Sequence, residues 1–236
     1  MKKHIPNTIT CLNLFCGCLA CIAAFKGDFT YSAVWIVAGA GFDFFDGLAA
    51  RLLKAYSPTG KELDSLADVI TFGMAPGIAA FTFLQLSLFQ EEEIVGSLLI
   101  KIIPCIAFLI PVFSALRLAK FNIDERQTTS FLGLPVPANA LFWAGLLFGM
   151  EKYLSAGLYL PLIIIGLILL FSFLLVSEIP MFSLKLKNFS WKENFPQYLL
   201  VILTILFILI FRFEGVAFGI VAYIIMSVIN SRLSRK

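Results

Sequence analysis

The sequence predicts an all-α protein, a polytopic bundle of about eight transmembrane helices, and two observations lead to this prediction. Of the 236 residues, 60% are hydrophobic and only 14% are charged, and the mean hydropathy is +0.93. Soluble domains do not have such a composition. The apolar residues also form stretches of the length that a spanning helix needs, roughly 17–25 residues. We therefore expect a single integral membrane domain over residues 1–236.

Six apolar stretches of suitable length follow one another along the chain. They cover residues 7–25, 31–53, 66–89, 94–118, 132–149 and 158–176. A last stretch, 198–229, is too long for one span and is interrupted by Arg212, Glu214 and Gly215. It predicts two short helices joined by a tight turn, which local thinning of the bilayer would accommodate.

The first stretch follows a basic amino-terminal segment, as the apolar part of a signal peptide does. It is long, contains Asn13 and lacks a cleavage site of small residues before a polar sequence, so we expect it to remain as a span. It also holds Cys11, Cys16, Cys18 and Cys21. Because Cys16 and Cys18 point to different sides of a helix, we interpret these cysteines as small packing residues, not as metal ligands or disulfide partners.

Lysine and arginine residues are distributed unevenly between the two sides of the predicted bundle. If the amino terminus is inside, 14 of the 18 basic residues lie in inner segments, and the outer segments hold only Lys26, Lys101, Lys152 and Arg212. Basic residues concentrate on the cytosolic side of membrane proteins. The distribution predicts a protein of the cytoplasmic membrane whose two termini are cytosolic.

Four aspartates lie between the second and third stretches, on the predicted cytosolic side. Asp43 and Asp46 are three residues apart, and Asp64 and Asp68 are four apart, so each pair shares one helix face. A hairpin of the two helices would point all four carboxylates at one small volume. Since an ionised residue in a membrane helix costs about 2.5–3.5 kcal/mol, four uncompensated ones would cost roughly 10–14 kcal/mol.

A pair of divalent cations would balance the four carboxylates, whose hard oxygen atoms are the ligands that Mg²⁺ or Mn²⁺ prefers. The alternative interpretation is that the aspartates are surface acids that cap two helices. Gly47, Ala50 and Gly60 lie among them and leave the backbone accessible to a ligand. Arg51 offers a planar donor fork that suits phosphate, although alone it would be interpreted as one more cytosolic basic residue.

Together these residues form a pattern that is similar to the signature of the CDP-alcohol phosphotransferases. The pattern is complete at all eight positions: Asp43, Asp46, Gly47, Ala50, Arg51, Gly60, Asp64 and Asp68. Members of that family are integral membrane enzymes that move a substituted phosphoryl group from a CDP-linked donor to an alcohol and release CMP. The resemblance implies a dinuclear metal centre held by the four aspartates, with Asp68 also as the proposed catalytic base. It further implies that the nucleotide contacts Asn7, Gly47, Ala50, Arg51 and Gly60.

Within the family, the chain most resembles the integral membrane branch that uses serine as the acceptor. Residues 5–17, 71–76, 117–122 and 131–138 carry this resemblance. It implies CDP-diacylglycerol and serine as substrates and a homodimer among membrane lipids, with no nucleic acid as partner. Asn13 stands where the phosphatidylglycerophosphate synthases usually carry arginine, which argues against that branch. Lys120 replaces an arginine that is common in relatives, which keeps the charge but loses the bidentate fork.

A serine carboxylate needs a cation, and Arg117 with Lys120 at the cytosolic end of the fourth stretch is the best candidate in the sequence. Alternatively, both residues belong merely to the basic cytosolic side. Glycerol phosphate and inositol or its phosphate are the alternative acceptors. A cation-coupled transporter is the alternative of another class, and it would show repeated halves with broken helices where this sequence has a single acidic cluster.

Overall fold

The computed structural model describes residues 4–89, 95–124, 131–154, 157–182 and 194–233. In these ranges the chain is almost entirely helical, which confirms the predicted all-α membrane bundle. Six helical stretches in the described part of the chain are long and apolar enough to cross a membrane. They are His4–Phe25, Phe29–Leu52, Pro58–Phe89, Ser97–Ile123, Tyr159–Val176 and Phe195–Ser231. The number of spans and their orientation stay predictions.

The first two helices, α1 (His4–Phe25) and α2 (Phe29–Leu52), pack along each other. The turn between them contains Gly27, whose φ of +74° is a conformation that favours glycine. Asp28 then caps α2, because its Oδ1 accepts a hydrogen bond of 3.0 Å from the backbone N–H of Tyr31. The short turn places the two helices side by side with the acidic end of α2 remote from this turn.

The third helical stretch consists of α3 (Pro58–Asp68), a π-helical turn (Val69–Met74) and α4 (Ala75–Phe89). It starts earlier than the predicted span at residue 66, because Ser57 caps the helix and Pro58 occupies its first turn. The hydroxyl of Ser57 accepts a hydrogen bond of 3.0 Å from Gly60 N–H. Asp64 and Asp68 therefore lie on the first turns of a continuous helical stretch.

The middle of the chain forms three further helices. A short helix, α5 (Ser97–Ile102), passes through a 3₁₀ turn (Ile103–Phe108) into α6 (Leu109–Ile123). After it come α7 (Val136–Met150) and α8 (Tyr159–Val176). Two short strands flank α7 and α8 in sequence: β1 (Phe131–Leu132) pairs antiparallel with β2 (Pro180–Met181), with Phe131 opposite Met181.

The last apolar stretch contains two helices, as predicted. They are α9 (Phe195–Phe211) and α10 (Gly215–Leu233), joined by a 3₁₀ turn at Arg212–Glu214. Lys152 Nζ lies 2.9 Å from Glu214 Oε1 and ties this turn to the end of α7. The hydrogen bond to Glu214 raises the pKa of the Lys152 ammonium. Of the basic residues that predict the orientation, several lie outside the described residues: Lys2, Lys3, Arg126, Lys185, Lys187, Lys192, Arg235 and Lys236.

Small residues and aromatic rings hold the bundle together. Stacked rings of Phe142 and Phe171, with centroids 3.8 Å apart, join α7 to α8. A Cβ on Gly145 would lie 3.0 Å from Ala217 N, so this glycine lets α7 approach α10 closely. Of the cysteines in α1, Cys16 is buried as a packing residue should be, whereas Cys11 and Cys18 face outward.

Candidate active site

Three carboxylates converge where α2 meets α3. Asp43 of α2 and Asp64 and Asp68 of α3 each offer one oxygen atom, and these oxygens all lie within 4.8 Å of one another. Asp68 is buried, and the other two side chains are half-buried. The helix spacing predicted the pairing of Asp64 with Asp68, and the Leu52–Ser57 turn brings α2 alongside. The group can hold a divalent cation.

Asp46, the fourth predicted ligand, lies outside this group of three. Its side chain is only 6% exposed and lines an adjacent cleft together with Asp64. Asp46 Oδ2 and Asp64 Oδ1 are both buried, and neither has a hydrogen-bond partner within the ranges that the structure describes. Asp64 therefore belongs to both the group of three and the cleft, and the four carboxylates line one continuous site.

The donor set fits a hard divalent cation. Buried carboxylate oxygens without partners are costly, and the carboxylates of Asp43 and Asp64 each offer an oxygen within 4.8 Å of the other. Carboxylates this close stay ionised together when a cation compensates their charges, and otherwise one of them binds a proton. Oxygen-only ligands of this kind suit Mg²⁺, Mn²⁺ or Ca²⁺ and not the softer metals.

The cleft beside the carboxylates has a volume of about 510 Å³. Four of the five predicted nucleotide-binding residues line it: Asn7, Gly47, Ala50 and Gly60. A Cβ on Gly47 would meet nothing within 4 Å and would point into open space, whereas one on Gly60 would lie 3.0 Å from both Asn7 Oδ1 and Ser57 Oγ. Gly60 thus allows α1 and the start of α3 to close on each other.

Arg51, the fifth predicted nucleotide-binding residue, does not line the cleft. Its Nε donates a hydrogen bond of 3.0 Å to the carbonyl oxygen of Gly47, one turn earlier in α2, and its side chain is exposed. The guanidinium group therefore lies near the rim of the site, bound to its own helix. Its predicted contact with phosphate stays a prediction.

The cleft also contains residues that the sequence analysis did not select. Thr10 of α1 lines the cleft together with Asp46, and Tyr56 and Lys61 lie on the α3 side. Thr10 follows Asn7 by three residues, so helical spacing places both on one face of α1 and could have identified it. No local pattern distinguishes Tyr56 or Lys61. Lys61 Nζ donates to the carbonyl oxygen of Asn122 at 2.9 Å, which links α3 to the end of α6.

Asn13 supports the carboxylate of Asp68. Its Nδ2 donates a hydrogen bond of 3.2 Å to Asp68 Oδ1, and the asparagine is fully buried. Because Oδ1 of Asp68 is engaged in this bond, the other carboxylate oxygen is left for a cation or a substrate. Asn13 is recognisable in the sequence as a polar residue within a span, but no local pattern connects it with Asp68, which is 55 residues away along the chain.

Arg117 and Lys120, the predicted acceptor-binding residues, lie on α6. Arg117 is 6% exposed, and in the described part of the chain its Nε and Nη2 atoms have no hydrogen-bond partner. Its guanidinium carbon lies 5.0 Å from the ring centroid of Phe121, and the group interacts electrostatically with Asp68. Lys120 is exposed. The two side chains line a second, smaller cavity. Their role in acceptor binding stays a prediction.

Comparison with known proteins identifies the family of the chain. The family model described as CDP-alcohol phosphatidyltransferase matches residues 3–228. Three relatives named CDP-diacylglycerol–serine O-phosphatidyltransferase are similar to the chain. The Bacillus subtilis protein is 38% identical over 135 residues, covering 57% of this chain and 70% of the relative. The Helicobacter pylori protein is 29% identical over 95% of this chain and 90% of the relative.

The third relative, from Mycobacterium tuberculosis, is 31% identical over 213 residues, which cover 85% of this chain and 68% of the relative. The family match spans every described helix that contributes to the acidic group and to the cleft. It also includes the complete eight-residue pattern between Asp43 and Asp68. The chain therefore belongs to the CDP-alcohol phosphatidyltransferase family.

Proposed function

We propose that the protein transfers a phosphatidyl group from CDP-diacylglycerol to the hydroxyl group of L-serine in a metal-dependent reaction that gives phosphatidylserine and CMP. One observation carries the proposal: Asp43, Asp64 and Asp68 converge within 4.8 Å beside a cleft that the small residues of the family pattern line. The names of the relatives support CDP-diacylglycerol as the donor and serine as the acceptor. A transporter is not favoured, because the chain belongs to an enzyme family.

The four aspartates would hold two divalent cations, Mg²⁺ or Mn²⁺. The unpartnered oxygens of Asp46 and Asp64 support a ligand role for both residues. When bound, such ions neutralise the negative oxygens of the pyrophosphate and of the departing nucleotide. The carboxylates would fix the positions of the ions, since they lie on two helices that the α2–α3 turn joins.

The cleft would bind the CDP portion of the donor. Asn7, Gly47, Ala50 and Gly60 form its walls, and the three small residues leave the backbone open to close approach. Arg51 would contact a phosphate oxygen at the rim. To do so, its side chain must give up its hydrogen bond to the carbonyl oxygen of Gly47 and donate to the phosphate instead.

Asp68 would act as the base. The serine oxygen forms a bond to the phosphorus that carries the diacylglycerol, and the proton of the hydroxyl group passes to Asp68. The bond from this phosphorus to the bridging oxygen breaks, and CMP leaves with its electron pair. Asn13 keeps Asp68 Oδ1 engaged during these events and so fixes the direction of the second oxygen.

Arg117 would receive the serine carboxylate. A buried guanidinium group with two unpartnered nitrogens is a costly arrangement that an anionic ligand would relieve. The charge of Arg117 interacts with that of Asp68, which supports an acceptor site within electrostatic range of the proposed base. Lys120, three residues further on, adds a second positive charge at the exposed side.

The protein would reside in the cytoplasmic membrane as a homodimer, with the active site facing the cytosol. The excess of basic residues on the predicted inner side, 14 against 4, supports this orientation. The homodimer rests on the family resemblance. The exposed phenylalanine, leucine and isoleucine side chains of the helices suit contact with lipid or with a second subunit.

The test is a turnover assay with the purified full-length protein in detergent or lipid nanodiscs. CDP-diacylglycerol is supplied with serine, glycerol 3-phosphate, inositol or inositol phosphate, and released CMP is measured with and without a chelator. We expect CMP release with serine, loss of turnover on chelation and recovery when Mg²⁺ or Mn²⁺ is returned. A preference for another alcohol would refute serine as the acceptor. Turnover that survives chelation would refute the requirement for a metal ion.

A further inference from the structure

The small cavity beside Arg117 contains charges of both signs. It is lined by Arg117, Lys120 and Asp124 from α6 and its carboxyl end, and by Ser177 and Glu178 directly after α8. Two cations and two carboxylates therefore surround one space. The site that serves the CDP donor is different, since no residue lines both cavities.

The guanidinium group of Arg117 makes this cavity a candidate binding site and not a surface depression. Arg117 is only 6% exposed, and two of its guanidinium nitrogens have no hydrogen-bond partner among the described residues. The cavity also adjoins the carboxyl end of α8, where Leu175 and Val176 form part of the wall. The carboxyl end of a helix carries partial negative charge and attracts positive charge. One side of the cavity thus favours an anion and the other favours a cation.

Two local features hold the Glu178 side of the cavity in place. The N–H of Gly133 donates a hydrogen bond of 2.9 Å to the carbonyl oxygen of Ile179. The N–H of Leu134 donates another, also of 2.9 Å, to the carbonyl oxygen of Leu174. Gly133 has a φ of +75°, and a Cβ there would lie 2.6 Å from the carbonyl oxygen of Leu175. Only glycine allows β1 to approach the end of α8 so closely. Glu178 is therefore carried by a tethered segment next to α6.

We infer that this cavity binds the acceptor as a zwitterion, with Glu178 and Asp124 receiving the ammonium group of the amino acid while Arg117 and Lys120 receive its carboxylate. The inference rests on the proposed function and adds the residues that distinguish an amino acid from other alcohols. A zwitterion leaves the four charges of the cavity balanced. Glycerol phosphate would instead bring negative charge next to two carboxylates.

The size of the cavity points to the same class of acceptor. Its volume is about 40 Å³, and one water molecule needs about 10–15 Å³ by this measure. Space for about three water molecules matches the polar end of a small amino acid. A cyclic polyol with a hydroxyl group on every carbon is larger, and it has no charged groups to pair with the four side chains.

The experiment compares three acceptors: serine, 3-hydroxypropanoate, which lacks the ammonium group, and ethanolamine, which lacks the carboxylate. The kcat/KM for CMP release is measured in the full-length enzyme and in Glu178→Gln, Asp124→Asn and Glu178→Asp. We expect Glu178→Gln and Asp124→Asn each to lower kcat/KM for serine by about five- to tenfold, the size of a charge-assisted contact near solvent. Their kcat/KM for 3-hydroxypropanoate should hardly change. Glu178→Asp, which keeps the charge, should retain most of the preference for serine.

Glu62→Gln is the matched control, because Glu62 is an exposed acid of α3 that lines neither cavity. The inference is overturned if Glu178→Gln and Asp124→Asn leave the ratio of serine to 3-hydroxypropanoate unchanged, whether activity falls for both acceptors or for neither. Wild-type turnover with serine is a separate result. Its absence would refute the proposed function, whereas unchanged ratios in an enzyme that uses serine would refute only the role of the two carboxylates.

Discussion

The hydroxyl group of Thr71 donates a hydrogen bond of 3.0 Å to the backbone carbonyl oxygen of Asn13. Thr71 belongs to the π-helical turn that directly follows Asp68, and it fits into space that Gly17 of α1 and Gly39 of α2 leave open. Asn13 in turn donates to Asp68. Three helices thus meet at one polar junction that positions the carboxylate proposed as the base. Two predictions concern this junction.

Asn13→Ala should lower kcat by about 10- to 100-fold, the usual cost of removing a partner of a metal-binding side chain. The KM for CDP-diacylglycerol should change little, because Asn13 does not line the cleft. The matched control is Asn139→Ala, which removes an equally buried amide whose side chain has no hydrogen-bond partner among the described residues. Equal losses of kcat in both variants would show that Asn13 acts only through stability.

Gly17→Ala should destabilise the protein by about 1–3 kcal/mol, as overpacking usually does. The new Cβ would lie 2.8 Å from Thr71 Cα. Gly41→Ala in α2 provides the comparison, since a Cβ there would meet nothing within 4 Å; it should be neutral or stabilising by about 0.5–1 kcal/mol. Thermal unfolding in detergent measures both, and a Gly17→Ala protein as stable as Gly41→Ala would argue against the tight junction.

Asp43→Asn, Asp46→Asn and Asp64→Asn should each abolish turnover, because an amide keeps the shape of the side chain but loses the charge that holds a cation. Activity is measured against Mg²⁺ and Mn²⁺ concentration, with Glu62→Gln as the control on α3. Asp46 lies outside the group of three, so its variant is the one that tests the second cation. Wild-type turnover with unchanged metal dependence in any variant would remove that residue from the centre.

Arg117→Ala should raise the apparent KM for serine by about tenfold or more, equivalent to about 1.4 kcal/mol, while the KM for CDP-diacylglycerol changes little. We expect this because the buried guanidinium group of Arg117, two of whose nitrogens have no partner among the described residues, would bind the serine carboxylate. Arg51→Ala should show the reverse and impair use of the donor first. Steady-state kinetics in which each substrate is varied in turn distinguish the two. Unchanged serine dependence in Arg117→Ala would contradict the proposed acceptor site.

The chain should cross the membrane an even number of times, about eight, with both termini in the cytosol, because basic residues concentrate on that side. Single cysteines placed near Lys26 and near Lys61 provide the check after removal of the natural ones. A membrane-impermeant thiol reagent added to intact cells should label the first position and not the second. Labelling in the opposite order would reverse the orientation.

Much of this architecture follows from local properties of the sequence. Apolar stretches of sufficient length produce helices, because a bilayer offers no partners for backbone N–H and C=O groups. The turn at Arg212–Glu214 follows from the polar interruption of the last stretch. Spacings of three and four place Asp43 with Asp46 and Asp64 with Asp68, since the period of an α-helix is local. A hairpin of the two helices then predicted that the two pairs share a site, and the family pattern implied the same.

Other features depend on how the helices are rotated and packed against one another, which spacing along one helix does not specify. Asp46 faces the cleft while Asp43 faces α3, although both lie on one face of α2. Arg51 binds the carbonyl oxygen of Gly47 and not the cleft. Asn13 reaches Asp68 because α1 packs against the start of the third helical stretch. Glu178 joins the cavity of Arg117 through the pairing of β1 with β2. Contacts between segments so distant in sequence arise only when the chain is folded.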